Sequence, residues 1–171
     1  KGSCTTDGLS AWALTRVGYV NPSTPPDQAG ADIHLACVQG CLPPNFGGPE
    51  NSLTEWGDQG GPEILCDYGA AYSFMEYLHG HFGGDAFMSA LHTEPGNGLV
   101  GLQNVLTQFG VKVPAQEVVH RWQAMMALDF QLDQGARLEG GRKADYTTPT
   151  LKSEINFASP QAFSTPGAPP N

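Results

Sequence analysis

The feature that most constrains this chain is the stretch from Gly60 to Gly84, GGPEILCDYGAAYSFMEYLHGHFGG. Ile64, Tyr68, Ala71, Tyr72, Met75, Leu78 and Phe82 recur there at three- and four-residue steps, the spacing that lines one face of an α-helix. Pro62 suits the first helical turn, where its missing N–H costs nothing, and Gly83-Gly84 supplies a stop. The stripe is wide and aromatic, so a helix over 62–82 is expected at the centre of the fold, packed on several sides. Asp67, Tyr68, His79 and His81 share that stretch, and each has to be weighed as a chemical group.

The segments around it are also helical in pattern. Thr6 or Asp7 can cap a helix over 7–18, with Leu9, Ala13 and Val17 on one face and Trp12 flanking it. Asp85 can cap a helix over 85–92 that buries Phe87, Met88 and Leu91. Leu99, Leu102, Val105, Leu106 and Phe109 mark 98–109, ended by Gly110. Pro114 opens 114–130, where Val118, Val119, Trp122, Met125, Met126 and Phe130 repeat. Tyr72, Met75, Leu78, Leu102, Leu106, Trp122 and Met126 are expected in the core. The Pro-rich run at 21–30 is excluded from any helix interior, and 31–41 is helical or irregular. Residues 42–62 form a long loop of the kind that walls or covers a site. The expected fold class is therefore mainly α, with long loops and an extended C-terminal tail. Residues 1–133 make the helical domain, and 134–171 a tail or linker with a candidate strand at 154–158.

Composition removes whole function classes. With 8 Lys and Arg against 17 Asp and Glu, the formal charge is −9, which disfavours a nucleic-acid-binding face because phosphate contacts need clustered cations. No apolar run approaches the roughly 18 residues of a membrane span. The four cysteines, Cys4, Cys37, Cys41 and Cys66, are an even number in an acidic, Gly- and Pro-rich chain. That favours an oxidising, extracellular setting, against free buried thiols or a four-thiolate zinc site. In an extracellular protein, Cys37–Cys41 and Cys4–Cys66 are the expected bonds.

Few residues carry obvious chemistry. His79 and His81 stand at i and i+2, roughly 200° apart around a helix, and cannot share one ion. His34, His92 and His120 are isolated. There is no GxSxG elbow, no phosphate-binding GxxxxGK[ST] loop and no GxGxxG turn. Glu50, Glu55, Asp58, Glu63 and Asp67 form an acidic cluster that suits a hard cation or, more simply, a solvated loop. Taken alone, Asp7 reads as a helix-capping carboxylate and Tyr68 as a core tyrosine.

Three segments together resemble a known family. TTDGLSAWALTRVGY, then SLTEWGDQGGPEILCDYGAAYSFMEYLHGHFGGDAF, then the Gly-Leu helix near residue 100 are similar to the second half of a gluzincin-type zinc metallopeptidase domain. The likeness is to the hyicolysin and immune inhibitor A kind. In that family an HExxH helix supplies two His ligands and a Glu base, and a later helix with an EG[LM]S/A pattern supplies a carboxylate ligand. Asp7-Gly8-Leu9-Ser10 matches the later pattern, with Asp in place of Glu. Trp56-Gly57-Asp58 and Asp67 through Asp85 match the block that follows, and the tail INFASPQAFSTPGAPPN is similar to the strand segment after such domains. This chain contains no HExxH.

The resemblance implies a segment of a secreted zinc-dependent endopeptidase acting on peptide or protein substrates, with the HExxH helix upstream. Asp7 would be a metal ligand, and Tyr68 would be the catalytic hydroxyl that stabilises the oxyanion. Zinc is then the cofactor of the intact parent enzyme, none is expected for this chain alone, and the remainder of the catalytic domain is its partner. Asp7 and Tyr68 should face one cleft, with carboxylate and hydroxyl about 5–9 Å apart. The alternative is a non-catalytic helical scaffold or binding module derived from such a peptidase.

Overall fold

The computed structural model describes residues 3–21, 33–38, 52–56, 64–133 and 135–137. Among them are six α-helices and no strand: α1 Ser3–Arg16, α2 Ile33–Val38, α3 Ile64–Phe82, α4 Gly84–Thr93, α5 Gly98–Gln108 and α6 Ala115–Asp133. The mainly α expectation holds. The candidate strand at 154–158, most of the loop at 42–62 and most of the tail at 134–171 lie outside the described residues.

Helix α3 is the hub, packed against α1, α2, α4 and α6. Cys66, Asp67 and every residue from Gly69 to Leu78 are buried, so the expected stripe is only part of a helix enclosed on nearly all sides. All seven residues expected in the core are there, with Tyr72, Leu78 and Leu106 fully enclosed. The Trp122 indole of α6 donates to the Ser73 hydroxyl at 3.1 Å, and Ser73 donates to the Ala70 carbonyl at 3.0 Å. Phe74 meets the Trp122 ring edge-on at 5.4 Å between centroids. The Ser73 hydroxyl and the Trp122 indole N–H thus enter this core with partners.

Glycines set how closely two neighbours approach α3. A Cβ on Gly8 would stand 2.8 Å from the Ala71 carbonyl oxygen and 2.9 Å from Met75 Cγ. A Cβ on Gly69 would run into the His34 carbonyl. Bare backbone at these two points lets α1 and α2 seat directly on α3. A disulfide between Cys37 of α2 and Cys66 of α3 fixes the second contact.

That bond corrects the expected pairing. Cys37 is joined to Cys66, so neither Cys37–Cys41 nor Cys4–Cys66 forms, and Cys4 is a free thiol. Cys41 lies outside the described residues. The physical reason is the Gly69 contact: it brings α2 against the first turn of α3, and Cys37 meets Cys66 with Cα atoms 4.9 Å apart, well within bonding range.

Helix α1 also differs from expectation. It begins at Ser3 rather than at a Thr6 or Asp7 cap, so Asp7 lies inside the helix. Its inner face is Thr5, Gly8 and Leu9, all buried, continued by half-buried Trp12 and Thr15, while Ala13 and Val17 are exposed. The end follows sequence logic. Gly18 adopts φ 84°, Tyr19 N–H bonds the Leu14 carbonyl and Gly18 N–H that of Thr15, the Schellman arrangement. Gly110 closes α5 in the same way, through Val111 to Leu106 and Gly110 to Thr107. At α4, Gly83 takes the capping position expected of Asp85, which lies in the first turn.

Candidate functional site

The α1–α3 contact sets the segment bearing Asp7 beside the segment bearing Tyr68. Asp7 adjoins Gly8, which abuts Ala71, and Tyr68 lies one helical turn before Ala71 on α3. Both are half-buried. Asp7, although inside a helix, makes no hydrogen bond or ion pair with any described residue.

Two tyrosines one turn apart on α3 behave differently. Tyr72 is fully enclosed, and its hydroxyl is 2.7 Å from the Thr15 hydroxyl of α1; it is a core residue that ties α1 to α3. Tyr68 is partly open to solvent, and its ring lies between His34 at 5.2 Å and Trp56, edge-on, at 5.3 Å. Its hydroxyl bonds to no described residue. Trp56 is braced by its own indole N–H, donated to the Leu53 carbonyl at 3.1 Å. Aromatic walls thus hold the Tyr68 ring and leave the phenol end unengaged.

A second polar group sits where α1, α3 and α4 meet, and its members are too far apart in sequence for any motif to have flagged them. Arg16 Nη2 lies 2.7 Å from Asp85 Oδ2, and His79 Nε2 2.9 Å from Asp85 Oδ1. A carboxylate only accepts, so His79 carries its proton on Nε2. Trp12 lies against both of Asp85's partners, 5.5 Å from the His79 ring and 5.9 Å from the Arg16 guanidinium. Asp85 also lines an open groove of about 440 Å³ between α1 and α4, with Leu9, Trp12 and Met88 as its apolar floor and Thr6, Ser10 and His92 along it. Neither Asp7 nor Tyr68 lines this groove.

The remaining candidates separate as their spacing implies. His81 faces the Tyr77 ring at 4.2 Å, away from His79. His120 is exposed beside Gln116 and Glu117 on α6. Of the acidic cluster, Asp67 is buried in α3 and Glu55 is exposed, while Glu50, Asp58 and Glu63 lie outside the described residues. Glu76, buried in mid-α3, was not flagged by sequence. Burial pushes the Cys4 thiol above its ordinary pKa, with the Thr5 hydroxyl acting in the opposite sense.

No three His, Cys, Asp or Glu side chains converge on a metal position among the described residues. A catalytic zinc takes three protein ligands and an open position, so these residues do not by themselves fit one. No helix among them is long and apolar enough to cross a membrane. No protein-family model, curated protein or solved structure matches this chain.

Proposed function

We propose that this chain is the helical second half of a gluzincin-type, secreted zinc endopeptidase domain, with Asp7 as a metal-binding carboxylate and Tyr68 as a catalytic hydroxyl. The observation that carries the reading is the contrast along α3 between Tyr72, whose hydroxyl is engaged with Thr15, and Tyr68, whose hydroxyl is free of described partners. A tyrosine serving only the core buries its ring and satisfies its O–H, as Tyr72 does. The Gly8–Ala71 contact adds support, because it holds the segment bearing Asp7 beside the one bearing Tyr68. The Cys37–Cys66 bond is consistent with an oxidising compartment.

In this reading the remaining metal ligands and the base come from an HExxH helix upstream. Tyr68 donates its hydroxyl to negative charge developing on the substrate carbonyl oxygen. The test uses the parent protein carrying both halves. Tyr68→Phe should lower kcat by about 10²–10³-fold, the scale for losing one oxyanion donor, with zinc content and secondary structure unchanged. Asp7→Ala should lose the metal itself. Unchanged kcat in the first variant, or full zinc occupancy in the second, would leave only the non-catalytic scaffold reading.

A further inference from the structure

The chain contains two steps in which Asp or Asn precedes glycine, Asp7-Gly8 and Asn97-Gly98, and the fold treats them in opposite ways. Gly8 is buried inside α1 against α3, where its N–H is held by the helical bond to the carbonyl four residues back. Asn97 is exposed, caps α5 in an extended conformation (φ −99°, ψ 145°) and makes no side-chain capping bond. Gly98 follows as the first residue of α5, so its N–H is one of those a helix start leaves without an intrahelical acceptor. Nothing stands within 4 Å of where a Cβ on Gly98 would be. We propose that Asn97 is a site of spontaneous deamidation in the folded protein, while the same fold shields Asp7 from the related isomerisation.

The chemistry needs only water. The Gly98 backbone nitrogen attacks Asn97 Cγ, and its proton leaves with the carboxamide nitrogen as ammonia, closing a five-membered succinimide. Water then adds across either C–N bond of the ring, giving aspartate or isoaspartate at position 97. The two products differ in consequence. Aspartate places a carboxylate at the start of α5, whose first turn holds no acidic residue, a favourable position beside free N–H groups and the positive end of the helix dipole. Isoaspartate adds a main-chain carbon at the residue whose carbonyl accepts from Val100 and Gly101 N–H, and so loosens that turn.

The 171-residue protein is aged in mildly alkaline buffer and cleaved after Glu76 and Glu117 (the Glu94–Pro95 bond resists cleavage), and residues 77–117 are read by mass spectrometry with isoaspartyl methylation as a second readout. Synthetic peptides spanning each glycine step give the unshielded rates. Folded Asn97 should react within the same order of magnitude as its peptide, whereas folded Asp7 should fall far below its own. Asn97→Gln should abolish methylation in this fragment, and Asn97→Asp should raise the midpoint of thermal unfolding. Suppression of Asn97 as strong as that of Asp7, or methylation persisting in the Asn97→Gln fragment, would overturn the proposal.

Discussion

Replacing Gly8 with alanine sets two physical effects against each other, and their signs decide between two accounts of α1. Gly8 lies in mid-helix, so intrinsic propensity alone favours alanine by about 1 kcal/mol. The new methyl group would stand 2.8 Å from the Ala71 carbonyl oxygen and 3.1 Å from its carbon. These are backbone atoms of a buried helix and cannot rotate aside, whereas Met75 Cγ, at 2.9 Å, belongs to a flexible side chain that can. Overpacking of this kind costs about 1–3 kcal/mol, and a rigid obstacle puts the cost in the upper part of that range. The net expectation is a loss of about 1–2 kcal/mol, from overpacking less the propensity gain. Urea titration followed by far-UV circular dichroism under oxidising conditions measures it as a lower midpoint at unchanged slope. Ala13→Gly, exposed on the same helix, reports propensity alone and should lose about 1 kcal/mol. If Gly8→Ala instead gains stability, the helices are not in backbone contact at this point. The adjacency of the segments bearing Asp7 and Tyr68 then loses its structural basis.

Three further outcomes are expected. Cys66→Ser opens a closed loop with a sequence separation of 29 and should lower stability by about 3–4 kcal/mol on the chain-entropy scale; non-reducing peptide maps should show Cys37 joined to Cys66. Ser73→Ala leaves the buried Trp122 N–H without its acceptor and should cost about 1–3 kcal/mol, part of it recovered when Trp122→Phe is added. The Cys4 thiol, its pKa raised by burial, holds less thiolate at a given pH than an open cysteine. Peptide-resolved alkylation at Cys4 should therefore be slow near neutrality, rise as pH climbs toward the raised value, and reach the ordinary rate at neutral pH once the chain is unfolded in urea.

The parts of the fold legible in the sequence are those where one local rule dominates. The aromatic stripe of α3 sits at the centre because its apolar residues recur at helical spacing through Leu78, and Ser73 and Glu76 on the same stretch are buried with it. Gly110 ends α5 because a left-handed residue there satisfies two carbonyls at once. Helix α1 was harder to orient, since its contact face is built on Thr5 and Gly8, which an apolar count ignores, while the apolar Val17 is 67 % exposed. The cysteine pairing was misjudged for a related reason. Nearness in sequence favours Cys37–Cys41, but Gly69 docks α2 onto α3 and brings Cys66 within bonding distance of Cys37. In both cases the deciding residue is a glycine whose importance lies in what it leaves out.

The same distinction sorts the site. Within Asp7-Gly8-Leu9-Ser10, packing accounts for Gly8 and Leu9, which are buried against neighbouring elements. Ser10 returns its hydroxyl to the Thr6 carbonyl of its own helix at 3.0 Å. Asp7 is left over: a half-buried carboxylate, interior to a helix, with no described hydrogen-bond or ion-pair partner. Within Asp67-Tyr68-Gly69-Ala70-Ala71-Tyr72, Gly69 serves α2, Ala71 serves α1 and Tyr72 bonds Thr15, while the half-buried Tyr68 hydroxyl bonds to no described residue. The His79–Asp85–Arg16 array was invisible in sequence because Arg16 and Asp85 stand 69 residues apart. Once seen, it is explained by what it does for the fold, joining the end of α1 to the α3–α4 turn through an exposed ion pair of the kind that contributes at most about 1 kcal/mol. Asp7 and the Tyr68 hydroxyl, both half-buried and without a described hydrogen-bond partner, are therefore the first groups to mutate in testing the proposed reading.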